Sequence, residues 1–100
     1  KPFSDQQLLD GVRQAMDQND RERKLRERRA ALLERVARLT SRERQVMEMV
    51  VQGKLNKQIA TELELSPKTV EVHRSHVMEK MEAASLAQLV RYAVLLEPPA

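Results

Sequence analysis

The chain has 100 residues, a net charge of +3, two aromatic residues and no cysteine. This length allows one small domain with an appendage, and the lack of cysteine excludes disulfides and thiolate metal sites. The sequence contains no apolar run long enough to span a bilayer and no secretory signal, so we expect a soluble, cytoplasmic protein without a membrane partner.

The first predicted helix combines an apolar stripe with a long charged segment. Strong helix formers dominate residues 17–38, and neither proline nor glycine interrupts them. We predict a charged linker helix over residues 19–38, continuous with the upstream segment unless Asn19 and Asp20 break it. The upstream apolar stripe comprises Leu8, Leu9, Val12 and Met16.

Leucine recurs every seven residues in the linker, at Leu25, Leu32 and Leu39. This is half of a coiled-coil pattern, because the complementary positions are mostly charged. We therefore expect at most weak pairing of this helix. Its many arginines are interpreted as a solvated face rather than as a nucleic-acid contact.

The second predicted helix follows a capping-box spacing, in which Thr40 precedes Glu43 by three residues. Gly53 ends this helix, since glycine adopts the left-handed conformation at little steric cost. The apolar stripe of the helix comprises Val46, Met47 and Val50.

A tight pair of helices follows. Asn56 can cap the shorter, first helix, and only Glu64 and Leu65 separate that helix from Ser66. Ser66 caps the longer helix, which should begin at Pro67 because proline lacks the N–H that has no partner there. Two helices joined by so short a turn form a helix-turn-helix. The apolar residues of the shorter helix are Ile59, Ala60 and Leu63.

The longer helix of this pair separates two faces at helical spacing. The face that should pack contains Val70, His73, Val77 and Met81. The face that should point outward contains Lys68, Glu71, Val72, Ser75 and Glu79.

The last predicted helix opens with a second capping-box spacing, from Ser85 to Gln88. Its apolar residues cover more than one face, and the surplus suggests a protein partner. They are Leu86, Leu89, Val90, Ala93, Val94 and Leu96.

Together these motifs resemble the LuxR-type helix-turn-helix, and within that group they are most similar to the FixJ branch of the NarL/FixJ response regulators. The resemblance covers residues 39–96, with one departure at Leu55, where many relatives carry a small polar residue that helps to cap the following helix. The residues that carry it are Leu39-Thr-x-Arg-Glu43, Val46, Gly53, Asn56-Lys-x-Ile-Ala60, Leu63, Leu65-Ser66 and Thr69-Val70-x-x-His73-Arg74.

The resemblance implies an all-α fold, in which a four-helix LuxR-type domain over residues 39–97 follows the linker helix and precedes a tail at 98–100. It also implies that this domain binds a specific double-stranded DNA sequence as a homodimer on a two-fold-related site. The base-reading residues implied are Glu71, Val72 and Ser75. The residues suited to phosphates are Asn56, Lys57, Lys68, Thr69, Arg74 and Lys80. On the last helix, our candidates for the dimer contact are Val90 and Val94, for which core packing is the alternative.

Residues 1–18 resemble the last loop and last helix of a phosphoacceptor receiver domain, in which a lysine such as Lys1 contacts the phosphorylated aspartate site. The implied partners of the full-length protein are therefore its receiver domain and a sensor kinase. Because such a helix would expose its apolar stripe, we expect it to pack against another molecule. Sigma-factor regions use a related motif, which makes RNA polymerase a further candidate partner.

Charge and residue types argue against several other chemistries. Residues 1–39 carry ten Lys or Arg and seven Asp or Glu, whereas residues 40–100 carry eight of each, so any phosphate contacts depend on placement. His73 and His76 lie on different faces and form a poor metal site with Glu79. No oriented nucleophile and base is evident, and two aromatic residues are too few to stack on single-stranded bases. We expect no cofactor, no metal and no catalysis.

Two alternative functions remain open at the sequence level. The chain could be a coiled-coil or protein-interaction module that never contacts DNA, in which case Val72→Asp would leave its activity intact. It could also be an enzyme fragment, in which case a bound small molecule would accompany an absence of DNA binding.

Overall fold

A computed structural model describes the backbone of residues 5–98 and the side chains of residues 18–98. Over that range the chain is all-α, as predicted, and contains no strand. Its helices are α1 (Asp5–Ala37), α2 (Ser41–Val51), α3 (Asn56–Leu63), α4 (Pro67–Lys80) and α5 (Leu86–Leu96). The chain divides into two compact units, Lys1–Ala30 and Ala31–Ala100. Between residues 5 and 98 no helix combines the length and the apolar character needed to cross a membrane.

The first unit contains most of α1, which continues through Asn19 and Asp20 without a break. Residues 18–28 are all exposed, as expected of a solvated charged face. Arg23 forms ion pairs with Asp20 at 3.3 Å and with Glu27 at 4.0 Å. Exposed ion pairs of this kind add little stability. The helical conformation of this segment is therefore favoured mainly by the helix propensity of its residues. The predicted stripe Leu8, Leu9, Val12 and Met16 lies outside the described side chains.

The second unit has one hydrophobic core, to which every helix of the unit contributes. α4 packs against both α2 and α3, and α2 also packs against α5. The buried hydrophobic residues are Leu32, Leu39, Val46, Met47, Val50, Ile59, Ala60, Val70, Val77, Met81 and Leu89. The stripes predicted for the second helix and for the packing face of α4 are thereby confirmed, except that His73 is only half-buried.

The linker leucines have separate environments. Leu32 and Leu39 are buried in the core of the second unit, whereas Leu25 is 51% exposed. Since α1 ends at Ala37, Leu39 is not part of the helical repeat. Packing within one chain therefore explains two of the three leucines. Weak pairing of α1 with a second chain stays a prediction only for the part of the helix near Leu25. The compact unit also begins at Ala31, upstream of the boundary predicted at residue 39.

Arg35 connects the end of α1 to the turn between α4 and α5. Its Nε lies 2.9 Å from Glu82 Oε2, and its Nη1 donates to the Met81 carbonyl at 3.2 Å. The guanidinium carbon lies 5.6 Å from the centroid of the Tyr92 ring. Because the Met81 carbonyl lies at the end of α4 and lacks a helical partner, this contact also caps that helix. Residues 31–37 are thus an integral part of the second unit.

The predicted capping box of α2 is confirmed. Thr40 Oγ1 accepts from the Glu43 N–H at 3.1 Å, and Glu43 Oε1 accepts from the Thr40 N–H at 2.9 Å. Gly53, at φ +90°, follows the end of α2 in the left-handed region, as predicted. The second predicted box is only half formed: Ser85 caps α5 through the Gln88 N–H, but the Gln88 side chain accepts from Ala84 rather than from Ser85.

The predicted cap of α3 is wrong. The N-cap residue is Leu55, which has no side-chain acceptor, and Asn56 is the first residue inside the helix. The Gln58 side chain accepts from the Leu55 N–H at 2.9 Å and so satisfies one free donor of this helix end. The Asn56 amide is therefore available for another partner, which is on α4.

The turn between α3 and α4 places a non-glycine residue in the left-handed region. Glu64 has φ 56° and ψ 44° and closes α3. The chain then passes Leu65 to Ser66, whose Oγ accepts from the Thr69 N–H at 3.1 Å, so α4 begins at Pro67 as predicted. A left-handed conformation costs a residue with a Cβ roughly 1–2 kcal/mol relative to its ordinary conformations.

This conformation makes Glu64→Gly a stabilising substitution. We expect the free energy of unfolding to rise by up to about 1 kcal/mol, because glycine removes the steric cost at φ 56° and loses part of the gain to chain entropy. Urea unfolding measures this change. Glu64→Ala is the matched control, since it removes the carboxylate but keeps the Cβ and should give no gain. An equal response of the two variants would contradict the explanation.

Candidate nucleic-acid interface

The outward face of α4 is the candidate interface. Lys68, Glu71 and Ser75 are exposed, and Val72 is 47% exposed although it is a large apolar residue. The opposite face is fixed in the core by Val70 and other buried residues. A helix held along one side with polar and apolar side chains on the other has the shape that the DNA major groove admits.

Four of the predicted site residues line one surface groove. Its walls are formed by α4 and by the first residue of α3, and its lining comprises Asn56, Glu71, Arg74, Ser75 and Met78. Arg74 Nη1 donates to Asn56 Oδ1 at 3.0 Å, so the two walls are joined by a hydrogen bond. Two predicted base readers, Glu71 and Ser75, and two predicted phosphate contacts, Asn56 and Arg74, therefore belong to a single local surface.

Two further phosphate candidates lie at the start of α4. Lys68 is exposed in the first turn, and Thr69 is half-buried. Thr69 Oγ1 lies 2.8 Å from Ser66 Oγ, the hydroxyl that caps the helix. The start of a helix carries a partial positive charge, which adds to that of Lys68 in attracting a phosphate.

Lys57 lies on a different groove of the surface, formed by α3 and the residues that precede it. The lining comprises Lys54, Lys57, Gln58, Thr61 and Glu62. Lys54 Nζ lies 2.8 Å from Glu62 Oε2, so the charge of Lys54 is already offset. Lys57 is exposed and is the phosphate candidate of this groove.

Lys80 has a partner inside the domain. Its Nζ lies 2.6 Å from Oε1 of Glu43, whose side chain is only 3% exposed. His76 Nδ1 lies 3.4 Å from the other carboxylate oxygen. The hydrogen bond from Lys80, followed by that from the Thr40 N–H, lowers the pKa of Glu43 from 4.5 to about 2 despite burial. This pair ties the start of α2 to the end of α4, and a phosphate contact by Lys80 stays a prediction.

The two histidines of α4 have different environments. His73 is half-buried on the packing side, whereas His76 is exposed and faces Glu43. Among the residues with described side chains, no group of three or more His, Cys, Asp or Glu is arranged to hold a metal ion.

The residues predicted for a dimer contact are on α5. Val94 is 59% exposed, and Val90 is half-buried. Leu86 and Leu95 also expose apolar surface on this helix, whereas Leu89 is fully buried. The surplus of apolar residues predicted from the sequence is thus present on the surface of α5.

Comparison with known proteins assigns the family. The sequence model described as "Bacterial regulatory proteins, luxR family" matches residues 37–93, which is more than half of the chain. The chain belongs to the luxR family. Members of this family are DNA-binding regulators rather than enzymes, so this luxR-family domain is a DNA-binding unit.

Individual relatives are response regulators of the predicted type. The chain is 45% identical over 95 residues to the transcriptional regulatory protein FixJ of Azorhizobium caulinodans, which covers 95% of this chain and 45% of FixJ. It is 42% identical over 91 residues to the response regulator TodT of Pseudomonas putida strain F1, which covers 91% of this chain and 40% of TodT. The FixJ-type resemblance predicted from the sequence is confirmed.

Solved structures agree with the sequence relatives. Full-length FixJ from B. japonicum matches with a TM-score of 0.72 and 44% identity, covering 96% of this chain and 47% of that one. The response regulator StyR matches with a TM-score of 0.75 and 41% identity, covering 94% of this chain and 48% of that one. The chain spans about half the length of the relatives that it matches.

The buried charge of Glu43 makes Glu43→Gln a pH-dependent change. The pKa of Glu43 is lower in the folded state, at about 2, than the ordinary 4.5, so the carboxylate stabilises the fold above pH 4.5. That contribution disappears as the pH falls through 2. We expect Glu43→Gln to lower the free energy of unfolding by on the order of 3 kcal/mol at pH 7.

Urea unfolding at intervals from pH 7 to pH 2.5 measures this difference. The gap between the two proteins should be constant above pH 5 and should narrow at lower pH. Glu79→Gln is the control, because Glu79 is an exposed carboxylate on α4 and its removal should have little effect. A gap that is the same at pH 7 and pH 3 would contradict the role given to the carboxylate.

Proposed function

We propose that α4 of this chain reads a specific double-stranded DNA sequence, as the output domain of a two-component response regulator that controls transcription. The observation that carries the proposal is the outward face of α4, where Glu71, Val72 and Ser75 are exposed beside the hydrogen-bonded pair of Asn56 and Arg74. In helix-turn-helix proteins the second helix of the motif enters the major groove, and α4 is the second helix of the motif here.

Each base-reading residue has a chemical counterpart in the major groove. The Glu71 carboxylate can accept from the amino group of cytosine, and the Val72 methyl groups can contact the methyl group of thymine. Ser75 can donate or accept and therefore suits several base edges. The three residues lie within one turn and a half of the helix, so they would read neighbouring base pairs.

Phosphate contacts fix the register of the helix. Lys68 and Thr69 at the start of α4 and Lys57 on α3 are exposed or half-exposed and suit this role. Asn56 and Arg74 line the same surface groove of the protein as the base readers Glu71 and Ser75. Lys80 already pairs with Glu43, which offsets part of its positive charge. Since residues 40–100 carry eight Lys or Arg and eight Asp or Glu, a single domain should bind moderately.

Pairing of two domains would supply the remaining affinity. The exposed apolar side of α5, with Val94 and the half-buried Val90, is the proposed contact. Two domains related by a two-fold axis would bind two half-sites, and linking them raises the effective concentration of the second binding event.

The names of the relatives are the basis for proposing that this chain is part of a longer response regulator. FixJ and TodT bear the names of a transcriptional regulatory protein and a response regulator, and the chain spans less than half of either. Residues 1–18 would be the end of a receiver domain, 19–38 the linker and 39–97 the DNA-binding domain. A sensor kinase would phosphorylate the receiver and so permit pairing, and RNA polymerase is a further candidate partner. Such a regulator acts on DNA in the bacterial cytoplasm.

A binding selection tests the function. The chain is mixed with a pool of randomised DNA duplexes at two salt concentrations, and the bound duplexes are sequenced after several rounds. We expect a two-fold-related motif whose binding weakens steeply with salt. If no motif is enriched and binding is absent even at low salt, a protein-interaction module becomes the better explanation.

Two substitutions separate base reading from phosphate contact. Val72→Ala should weaken binding about fivefold, because the smaller side chain buries less apolar surface against the DNA, and it should relax the preference at one base pair. Lys68→Ala should weaken binding to every duplex alike and should reduce the slope of log affinity against log salt by about 1. Titrations against the selected motif and its single-base variants measure both effects. A uniform loss for Val72→Ala would contradict its assignment.

The pairing surface can be tested with Val94→Asp. A carboxylate in the proposed contact should lower affinity for a duplex with two half-sites by at least tenfold, since an unpaired charge would have to be buried. Binding to a duplex with one half-site should be unchanged, which provides the internal control. Equal losses on both duplexes would place the effect in the fold and not in pairing.

A further inference from the structure

Asn56 has a role that its position in the sequence does not reveal. The sequence predicts that it caps α3, but Leu55 is the N-cap residue, and the Asn56 side chain reaches α4. Its Oδ1 accepts from Arg74 Nη1 at 3.0 Å in a partly buried hydrogen bond between residues 18 apart in the chain. This bond joins the two helices of the helix-turn-helix on the side that carries the proposed base readers.

The hydrogen bond restricts the guanidinium of Arg74. A guanidinium is planar and holds its five N–H donors in a rigid fork, so fixing one nitrogen limits the plane of the whole group. A free arginine side chain has several rotatable bonds and therefore high rotamer entropy, part of which is lost on binding. A guanidinium that is already ordered in the free protein loses less of it, and binding is favoured accordingly.

The place of Arg74 favours a base edge over a phosphate. Arg74 lines the same groove as Glu71 and Ser75, which lie three residues before it and one residue after it on α4. Because the three side chains share this groove, we expect a base pair that contacts Glu71 and Ser75 to lie within reach of the guanidinium as well. Paired donation from arginine to O6 and N7 of guanine is the commonest specific contact in the major groove.

Asparagine suits the role of holding this arginine. Its amide oxygen accepts a hydrogen bond without carrying a charge, so the positive charge of Arg74 is left for the DNA. A carboxylate at the same position would hold the guanidinium more strongly, but it would offset that charge and repel the DNA backbone.

We propose that Asn56 is a positioning residue, which holds Arg74 so that its guanidinium reads a guanine beside the base pairs contacted by Glu71 and Ser75. Arg74 is then a determinant of sequence preference rather than a phosphate contact. The inference rests on the proposed function, because it names a further base contact of the same interface.

The test is a double-substitution cycle on the full chain, with Asn56→Ala, Arg74→Ala and both together. The probes are the duplex obtained by selection with the unaltered chain and its single-base variants. We expect each single substitution to weaken binding about tenfold and to relax the preference for guanine at one position. The double variant should bind within about threefold of Arg74→Ala, because the two residues act as a unit.

Two further variants separate positioning from folding. Arg74→Lys keeps the charge but removes the fork, so it should lose the guanine preference while the salt dependence stays unchanged. Asn56→Asp keeps the acceptor, so it should retain the preference with lower affinity. Gln45→Ala is the control, since the exposed Gln45 side chain on α2 accepts from Arg42 of its own helix, and its removal should leave the preference intact.

The outcomes are distinguishable from one another. If the single losses multiply in the double variant, or if Asn56→Ala keeps the full guanine preference, Asn56 does not position Arg74. If Arg74→Ala weakens all duplexes evenly and reduces the salt slope by about 1, Arg74 is a phosphate contact and the proposal fails. If the unaltered chain selects no motif, the proposed function itself fails.

Discussion

Burial of Val70, Val77 and Met81 fixes the rotation of α4 about its own axis, and the candidate interface depends on that rotation. All three side chains are essentially inaccessible to solvent. Full burial of each contributes roughly 1.5–3 kcal/mol relative to exposure, whereas turning the helix by one residue would rotate this face by about 100° into solvent. The side chains opposite the buried face are consequently presented in one orientation, before any DNA is bound.

Polar contacts at the two ends of α4 fix its position along that axis. Ser66 caps the start of the helix, Lys80 near the end pairs with buried Glu43 of α2, and Arg35 caps the final turn from α1. A buried carboxylate is costly to leave without a partner, so the pair of Glu43 and Lys80 is more than an ordinary surface contact. Arg35 also pairs with Glu82 and so ties the last turn of α1 to the turn that follows α4.

Local sequence patterns predict most of the fold, because they report interactions within about four residues. The caps at Thr40 and Ser66, the left-handed glycine at position 53 and the packing stripe of α4 are all readable in this way. Contacts between residues that are distant in the sequence cannot be predicted from such local patterns. The bonds from Arg74 to Asn56, from Lys80 to Glu43 and from Arg35 to Met81 span 18, 37 and 46 residues.

Those distant contacts change the interpretation of particular residues. Asn56 fits the pattern of a helix cap and instead accepts from an arginine on the next helix. Lys80 matches the pattern of a surface lysine near a phosphate, but its ammonium meets a buried carboxylate. Leu32 and Leu39 fit a heptad because the spacing of a helix stripe is the same whether it faces a second chain or its own domain. Composition and spacing alone do not distinguish a residue that acts locally or at the surface from one that contacts a distant part of its own chain.

Amide chemical shifts would show whether DNA contacts the outward face of α4. The chain would be titrated with its selected duplex while the backbone N–H signals are followed by NMR. We expect the largest shifts on Asn56 and on residues 68–75, with small changes at the buried end of α4 near Met81. Shifts confined to α5 or to the linker, with residues 68–75 unaffected, would contradict a contact between α4 and DNA.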